Sequence, residues 1–223
     1  NSAADAPTVE AEVAELPAAA ALGDYQCVLT QAQFDEWLEK LRNAELIAFD
    51  TETTGLDAQK AQLVGLSFAV KAGEAAYIPV AHSYMGVPTQ LDRDAVLKAL
   101  KPILEDPNKA KVGQHAKYDI NILANASTPI AVQGVAFDTM LESYVLDSTA
   151  TRHDMDSLAL KYLDHSNIRF EDIAGKGAKQ LTFDQIDLAQ AAPYAAEDAD
   201  VTLRLHQHLW SKLSAEPSLA KVL

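Results

Sequence analysis

The chain predicts an α/β fold, a mixed central sheet flanked by helices. Three observations carry that expectation. Its early apolar stretches have strand character, its later ones alternate a short strand with a helical period, and apolar residues make up 48% of 223, enough for one substantial core.

Taken in order, residues 1–24 are rich in Ala, Glu and Pro with weak periodicity, which reads as a linker or a frayed tail. From Thr30 the pattern changes. TQAQFDEWLEKLRNA sets Phe34, Trp37, Leu38 and Leu41 at helical spacing behind a threonine suited to an N-cap. ELIAFDTE follows as a strand, QLVGLSFAVKAGEAAYIPVAH as two strands joined at Lys71–Glu74, and DRDAVLKALKPILED as a helix ending near Asp106. The short apolar segment KVGQH leads as a strand into a helix over AKYDINILANA. Further helices are expected at TMLESYVLD, at MDSLALKYL and, longest of all, from Pro193 through Lys212. Trp37 and Trp210 occupy apolar helical positions and are expected in packing.

Composition excludes several classes. No apolar run approaches the roughly 18 residues needed to cross a bilayer, and the start lacks the basic head of a signal peptide, so a cytoplasmic protein without membrane contact is expected. Cys27 is the single cysteine, which rules out an internal disulfide framework and a cysteine-based zinc site. The net charge of −14 opposes a broad electrostatic grip on nucleic acid. Either the substrate is not a nucleic acid, or the acids serve metal ions and the few basic residues gather on one face. His82, His153, His165, His206 and His208 have no metal-ligand spacing and are expected at the surface or in hydrogen bonds.

The stretch AFDTETTGLD breaks strand habit by ending in two acids one residue apart. Residues i and i+2 of a strand share a face, so Asp50 and Glu52 project together near the carboxyl end, where open α/β sheets place their sites. Two carboxylates that close repel unless a cation lies between them, and Mg²⁺ or Mn²⁺ suits oxygen ligands. The same D-x-[DE] pattern recurs at Asp154/Asp156 and Asp198/Asp200, so the motif alone is cheap. Two partners strengthen it. In GQHAKYD, Asp119 falls where a strand passes into a helix; the bland alternative is an acid that complements the helix dipole. In PYAAEDAD, Tyr194 and Asp198 stand four apart on one helical face, with alanines keeping that helix slim.

In the order D-x-E, then Asp, then Y-x-x-x-D, the chain resembles the 3′-5′ exonuclease (proofreading) domain of bacterial DNA polymerase I, in the tyrosine-containing version of the DEDD exonuclease family. The likeness runs from about Tyr25 to Trp210 and includes LVGLSFAV, AAYIPVAH, AFDTMLESY, RHDMDSLA, EDIAGKG, QLTF and YAAEDADVTL. The resemblance implies an RNase H-like fold, an exonuclease domain over residues 25–215, and a tail over 216–223 leading toward a polymerase domain outside this sequence. It implies that Asp50, Glu52, Asp119 and Asp198 hold two divalent metal ions, Mg²⁺ with Mn²⁺ or Zn²⁺ able to substitute, and that Tyr194 orients the attacking water. Asp50 is then expected to bridge the ions, with Glu52 and Asp198 at one and Asp119 at the other. Leu56 and Phe170 match apolar residues that wedge or stack against terminal bases; His115, Lys117, Tyr118 and Arg152 lie in segments near the substrate strand. His115 stands where the family usually has Asn.

The expected partners are a single-stranded or frayed DNA 3′ end and a polymerase domain in the same longer chain, with the chain itself a monomer. Nucleoside 5′-monophosphates are the expected product. A free-standing RNA 3′-exonuclease of the RNase D or oligoribonuclease kind shares the acid pattern. A non-catalytic spacer domain is the third reading, and the four retained carboxylates oppose it.

Overall fold

The computed structural model describes residues 23–222; the tail expected over residues 1–24 falls almost wholly outside them. Six strands form one sheet: β1 (Asp24–Cys27), β2 (Leu46–Thr53), β3 (Leu63–Lys71), β4 (Glu74–Pro79), β5 (Ala110–Gly113) and β6 (Val135–Asp138), in the order β1-β4-β3-β2-β5-β6. The β2/β3 and β3/β4 pairs are antiparallel and the other three parallel, which makes the sheet mixed as expected.

Three helices share the core on one face. Helix α1 (Gln31–Asn43) starts at a capping box in which Thr30 and Gln33 satisfy each other's backbone, and buries Phe34, Trp37, Leu38 and Leu41. Helix α2 (Arg93–Leu104), capped by Asp92, adds Val96, Leu97 and Leu100. Their shared core includes Ile47 and Phe49 of β2 and Leu66 and Phe68 of β3. Alternation along β2 therefore turns Ala48, Asp50 and Glu52 to the opposite face.

That opposite face is crossed by α7 (Leu188–Leu213), whose Ala196, Ala199 and Leu203 pack with Ala48, Ala69, Ala75 and Val112. Small side chains on both partners let the backbones approach closely, which is what brings residues of α7 within reach of the β2 acids. Helices α4 (Thr139–Leu146) and α5 (Met155–Leu163) lie outside α7, with Leu158 and Ala159 against Val201, Leu205 and Leu209. Helix α3 (Lys117–Ala124), the third on the first face, follows β5, α6 (Phe170–Ala174) is a single turn, and α8 (Pro217–Ala220) ends the described chain.

The long helix begins five residues before the expected Pro193. Asp187 caps it by accepting from the Ala189 amide, and Pro193 is exposed, so the Ala189 carbonyl left without its helical donor can be hydrated. Strands β1 and β6 and helix α6 are not expected from the sequence. Each is five residues or fewer, too short for its periodicity to stand out, and each is held by its neighbours. Of the two tryptophans, Trp37 is fully buried, while Trp210 is half-buried against Phe137 and His206. Among the described residues, no helix is long and apolar enough to cross a membrane.

Candidate active site

The end of β2 and the front of α7 meet at a cavity of about 590 Å³. Asp50 and Glu52 rise from β2 on the face that α7 crosses, and Asp198 comes down from α7. One carboxylate oxygen from each lies within 4.8 Å of the others. All three are half-buried, and among the described residues no cationic side chain lines the cavity.

The electrostatics follow from that crowding. Burial pushes the Asp50 carboxyl well above its ordinary range, and the charges of Asp119, Glu52 and Asp198 push it further. Glu52 is raised by burial and then by Asp198 and Asp119. Asp198 is raised by burial, by Glu197 and by Asp156, and only a hydrogen bond from Tyr194 works the other way. Three acids that repel one another, offering only oxygen, fit a hard divalent cation: the positive charge would relieve the repulsion and the carboxylates would replace water in its shell.

Asp119 is buried in the first turn of α3 and belongs to this neighbourhood without joining the three-acid group. Its Oδ1 accepts from the Thr51 amide at 2.9 Å and from the Thr51 hydroxyl at 2.6 Å. Burial still lifts its carboxyl to about 7, against the pull of those hydrogen bonds. Asp119 thus pins the β2 backbone between Asp50 and Glu52 and adds its charge to both.

Tyr194 lines the same cavity one helical turn before Asp198. The Asp198 charge, then burial, hold its phenol far above the ordinary tyrosine range, which keeps it protonated and a hydrogen-bond donor. Phe170 stands across from it at 6.2 Å between ring centroids and stacks on Phe183 at 6.4 Å, with the rings 12° apart. Leu56 closes the rim and is 96% exposed. The loop that carries it is held by Tyr118, whose hydroxyl meets Thr53 Oγ1 at 2.6 Å and donates to the Gly55 carbonyl at 2.5 Å.

Other expected contacts lie elsewhere. Lys117 lines a separate cavity of about 350 Å³ with Phe137, Asp138 and Leu141. Arg152 is 87% exposed in its side chain and pairs with Asp154 at 3.1 Å, outside the acid cavity. His115 is exposed at the β5–α3 turn with φ of 57°, its amide donating to Asp138. That left-handed conformation is one His tolerates better than most residues.

Sequence reasoning misses the far wall. Leu181, Thr182 and Phe183 line the cavity, and Phe183 also meets Tyr194 at 5.9 Å and Tyr77 at 6.1 Å. In sequence QLTF is only a stretch of likeness, because a single aromatic in a polar loop has no period to follow. A second omission is Gly65, which faces Glu52 across the β2/β3 pair. A Cβ there would fall 2.2 Å from the Tyr77 hydroxyl, so glycine is required for Tyr77 to reach His82 Nε2 at 2.8 Å beneath the site.

The class defined by this fold and site is an RNase H-like domain with a carboxylate cluster at the end of its second strand. The family model for 3′-5′ exonucleases matches residues 25–214, and the chain belongs to that family. DNA polymerase I of Pseudomonas aeruginosa is 82% identical over 200 residues, covering 90% of this chain and 22% of that protein. DNA polymerase I of Rhizobium leguminosarum is 40% identical, covering 86% and 20%. The chain thus spans about a fifth of the length of these curated relatives. Among solved structures, RNase D of Trypanosoma brucei superposes with a TM-score of 0.66 at 18% identity, over 83% of this chain and 64% of that one. The polymerase Pol1 of M. smegmatis gives 0.65 at 21% identity, over 87% and 29%. Likeness at that level speaks for the fold.

Proposed function

We propose that this chain is the proofreading unit of a DNA polymerase I, removing nucleotides one at a time from a single-stranded or frayed DNA 3′ end and releasing nucleoside 5′-monophosphates. The observation that carries the reading is the juxtaposition, in one cavity, of three mutually repelling carboxylates with an apolar wall of Leu56, Phe170 and Phe183.

Asp50, Glu52 and Asp198 would hold divalent cations, Mg²⁺ first, with Asp119 completing the set. When bound, these ions supply the Lewis acidity and positive charge that phosphodiester hydrolysis needs. The chain's own residues do the rest. A phenol ordinarily keeps its proton to about pH 10, so Tyr194, which donates a hydrogen bond to Asp198, is suited to orienting the attacking water by hydrogen bonding and not to taking its proton. Phe170 offers a face for the terminal base and Leu56 wedges behind it, contacts that every base can make and that give excision without sequence preference. Tyr118 fixes the Leu56 loop through Thr53 and Gly55. The net charge of −14 leaves little for long-range attraction, so duplex affinity is assigned to a polymerase domain in the same longer chain.

The experiment is nucleotide release from a 3′-labelled single-stranded deoxyoligonucleotide with Mg²⁺, beside an Asp50→Ala/Glu52→Ala variant. Release by the wild type alone supports the reading; equal release from both removes it. Faster release from a 3′-ribo end than from the matched 3′-deoxy end would turn the assignment toward RNA.

A further inference from the structure

The wall that carries Phe170 is tied to the helix that carries Asp198 by one buried carboxylate. Glu197 is 1% exposed. Its Oε1 lies 2.9 Å from His165 Nε2, and its Oε2 accepts from the Ile168 amide at 2.6 Å. Both partners belong to the connection between α5 and α6, which has no regular structure of its own. The connection ends in α6, a five-residue helix whose N-terminus has no side-chain cap. A single turn cannot hold itself in place, so tertiary contacts must locate it. Phe170 is its first residue.

Both oxygens of Glu197 are therefore committed to one loop, from a position adjacent to Asp198 and on the helix that also carries Tyr194. The acid cluster and the apolar wall are braced to each other from behind. Asn167 adds a lateral tie, donating to Asp156 at 3.1 Å.

We propose that Glu197 and His165 form a latch that sets the Phe170 wall against the acid cluster and so positions the terminal base of the substrate. This is a positioning role, and it rests on the reading of the cavity as a nucleotide 3′-end site.

The test is steady-state release of nucleotide from single-stranded oligo(dT) by the wild type and by Glu197→Ala, Glu197→Gln, His165→Ala, Phe170→Ala and the Glu197→Ala/Phe170→Ala pair. Glu197→Ala and His165→Ala are expected to raise KM about tenfold while kcat stays within about threefold, the signature of lost positioning by groups that do not touch the reacting atoms. Glu197→Gln, which can still accept from the Ile168 amide, should recover most of the affinity. Once Phe170 is gone the latch has nothing to position, so the double variant should match Phe170→Ala alone. A fall in kcat with KM unchanged, or losses that multiply in the double variant, overturns the proposal. Should Glu197→Ala lose cooperative unfolding, His165→Ala and its pairing with Phe170→Ala decide by the same criteria. A wild type no more active than Asp50→Ala/Glu52→Ala removes the reading of the site; an active wild type with unchanged latch variants removes only the latch.

Discussion

Two aspartates on α7, Asp198 and Asp200, differ by one alanine in sequence and by everything in their surroundings. Asp200 is fully buried and accepts from the Tyr25 hydroxyl at 2.8 Å, the Gly73 amide at 2.8 Å and Arg204 Nε at 3.0 Å. It ties β1 and the β3–β4 turn to the helix. Asp198 meets Asp50 and Glu52 instead, with Glu197 and Asp156 adding further negative charge. Residues two apart on a helix diverge by about 200°, so one D-x-D motif supplies an anchor and a frustrated acid at once. The lesson is that partners, not residue type, separate a carboxylate that anchors the fold from one that crowds against other acids.

The comparison can be broken most strongly at Asp198. Replacing it with Ala should cut nucleotide release with Mg²⁺ by about a thousandfold or more, since a group holding charge at the reacting centre is lost. Asp200→Ala should act through the fold, lowering unfolding free energy in urea by about 3 kcal/mol because the Tyr25 hydroxyl and the Gly73 amide lose their acceptor. Any release that survives should keep its KM.

Stability should answer in the opposite sense at the acid cluster. Asp198→Asn is expected to stabilise the metal-free protein at pH 7 by about 1 kcal/mol, by removing a repelling charge. The pH dependence has a definite sign. Carboxyls raised in the folded state bind more protons folded than unfolded, so their contribution is fully present below the ordinary carboxylate range and is lost as pH rises. With Asp119 lifted to about 7, its own share of the loss spans about pH 4 to 7, and Asp198, raised well above its ordinary range, loses stability in the same direction. The melting difference between Asp198→Asn and wild type, measured in EDTA, should therefore widen from pH 5 to pH 7. Mg²⁺ at about 100 times its dissociation constant should restore about 2.7 kcal/mol to the wild type and clearly less to Asp198→Asn. A gap that narrows with pH would mean the three acids do not share one field. The smallest effect belongs to Leu56→Ala. At 96% exposure its loss should change stability by less than about 0.5 kcal/mol while weakening retention of a single-stranded 3′ end.

Much of the site is legible in the amino-acid sequence. Asp50 and Glu52 announce themselves because strand alternation and two adjacent acids are local facts, and Tyr194 with Asp198 follows from helical spacing. Asp119 is legible as a carboxylate at a strand-to-helix passage, but its grip on Thr51 is not, since it joins residues 68 apart. The Leu181–Phe183 wall, the Glu197 latch and the role of Gly65 have no local signature, because each exists only as a contact between distant segments. Lys117 and Arg152 are legible as cations near the motifs; which way they point is not.

By itself, then, the sequence determined the longer strands and helices, the face of β2 that bears acids and the face of α7 that carries Tyr194 and Asp198, because these depend on periods of two and 3.6 residues along a single segment. Tertiary structure alone decided which acid meets donors and which meets other acids. That choice depends on how closely alanine-lined α7 settles on the sheet, a matter of packing between segments more than a hundred residues apart.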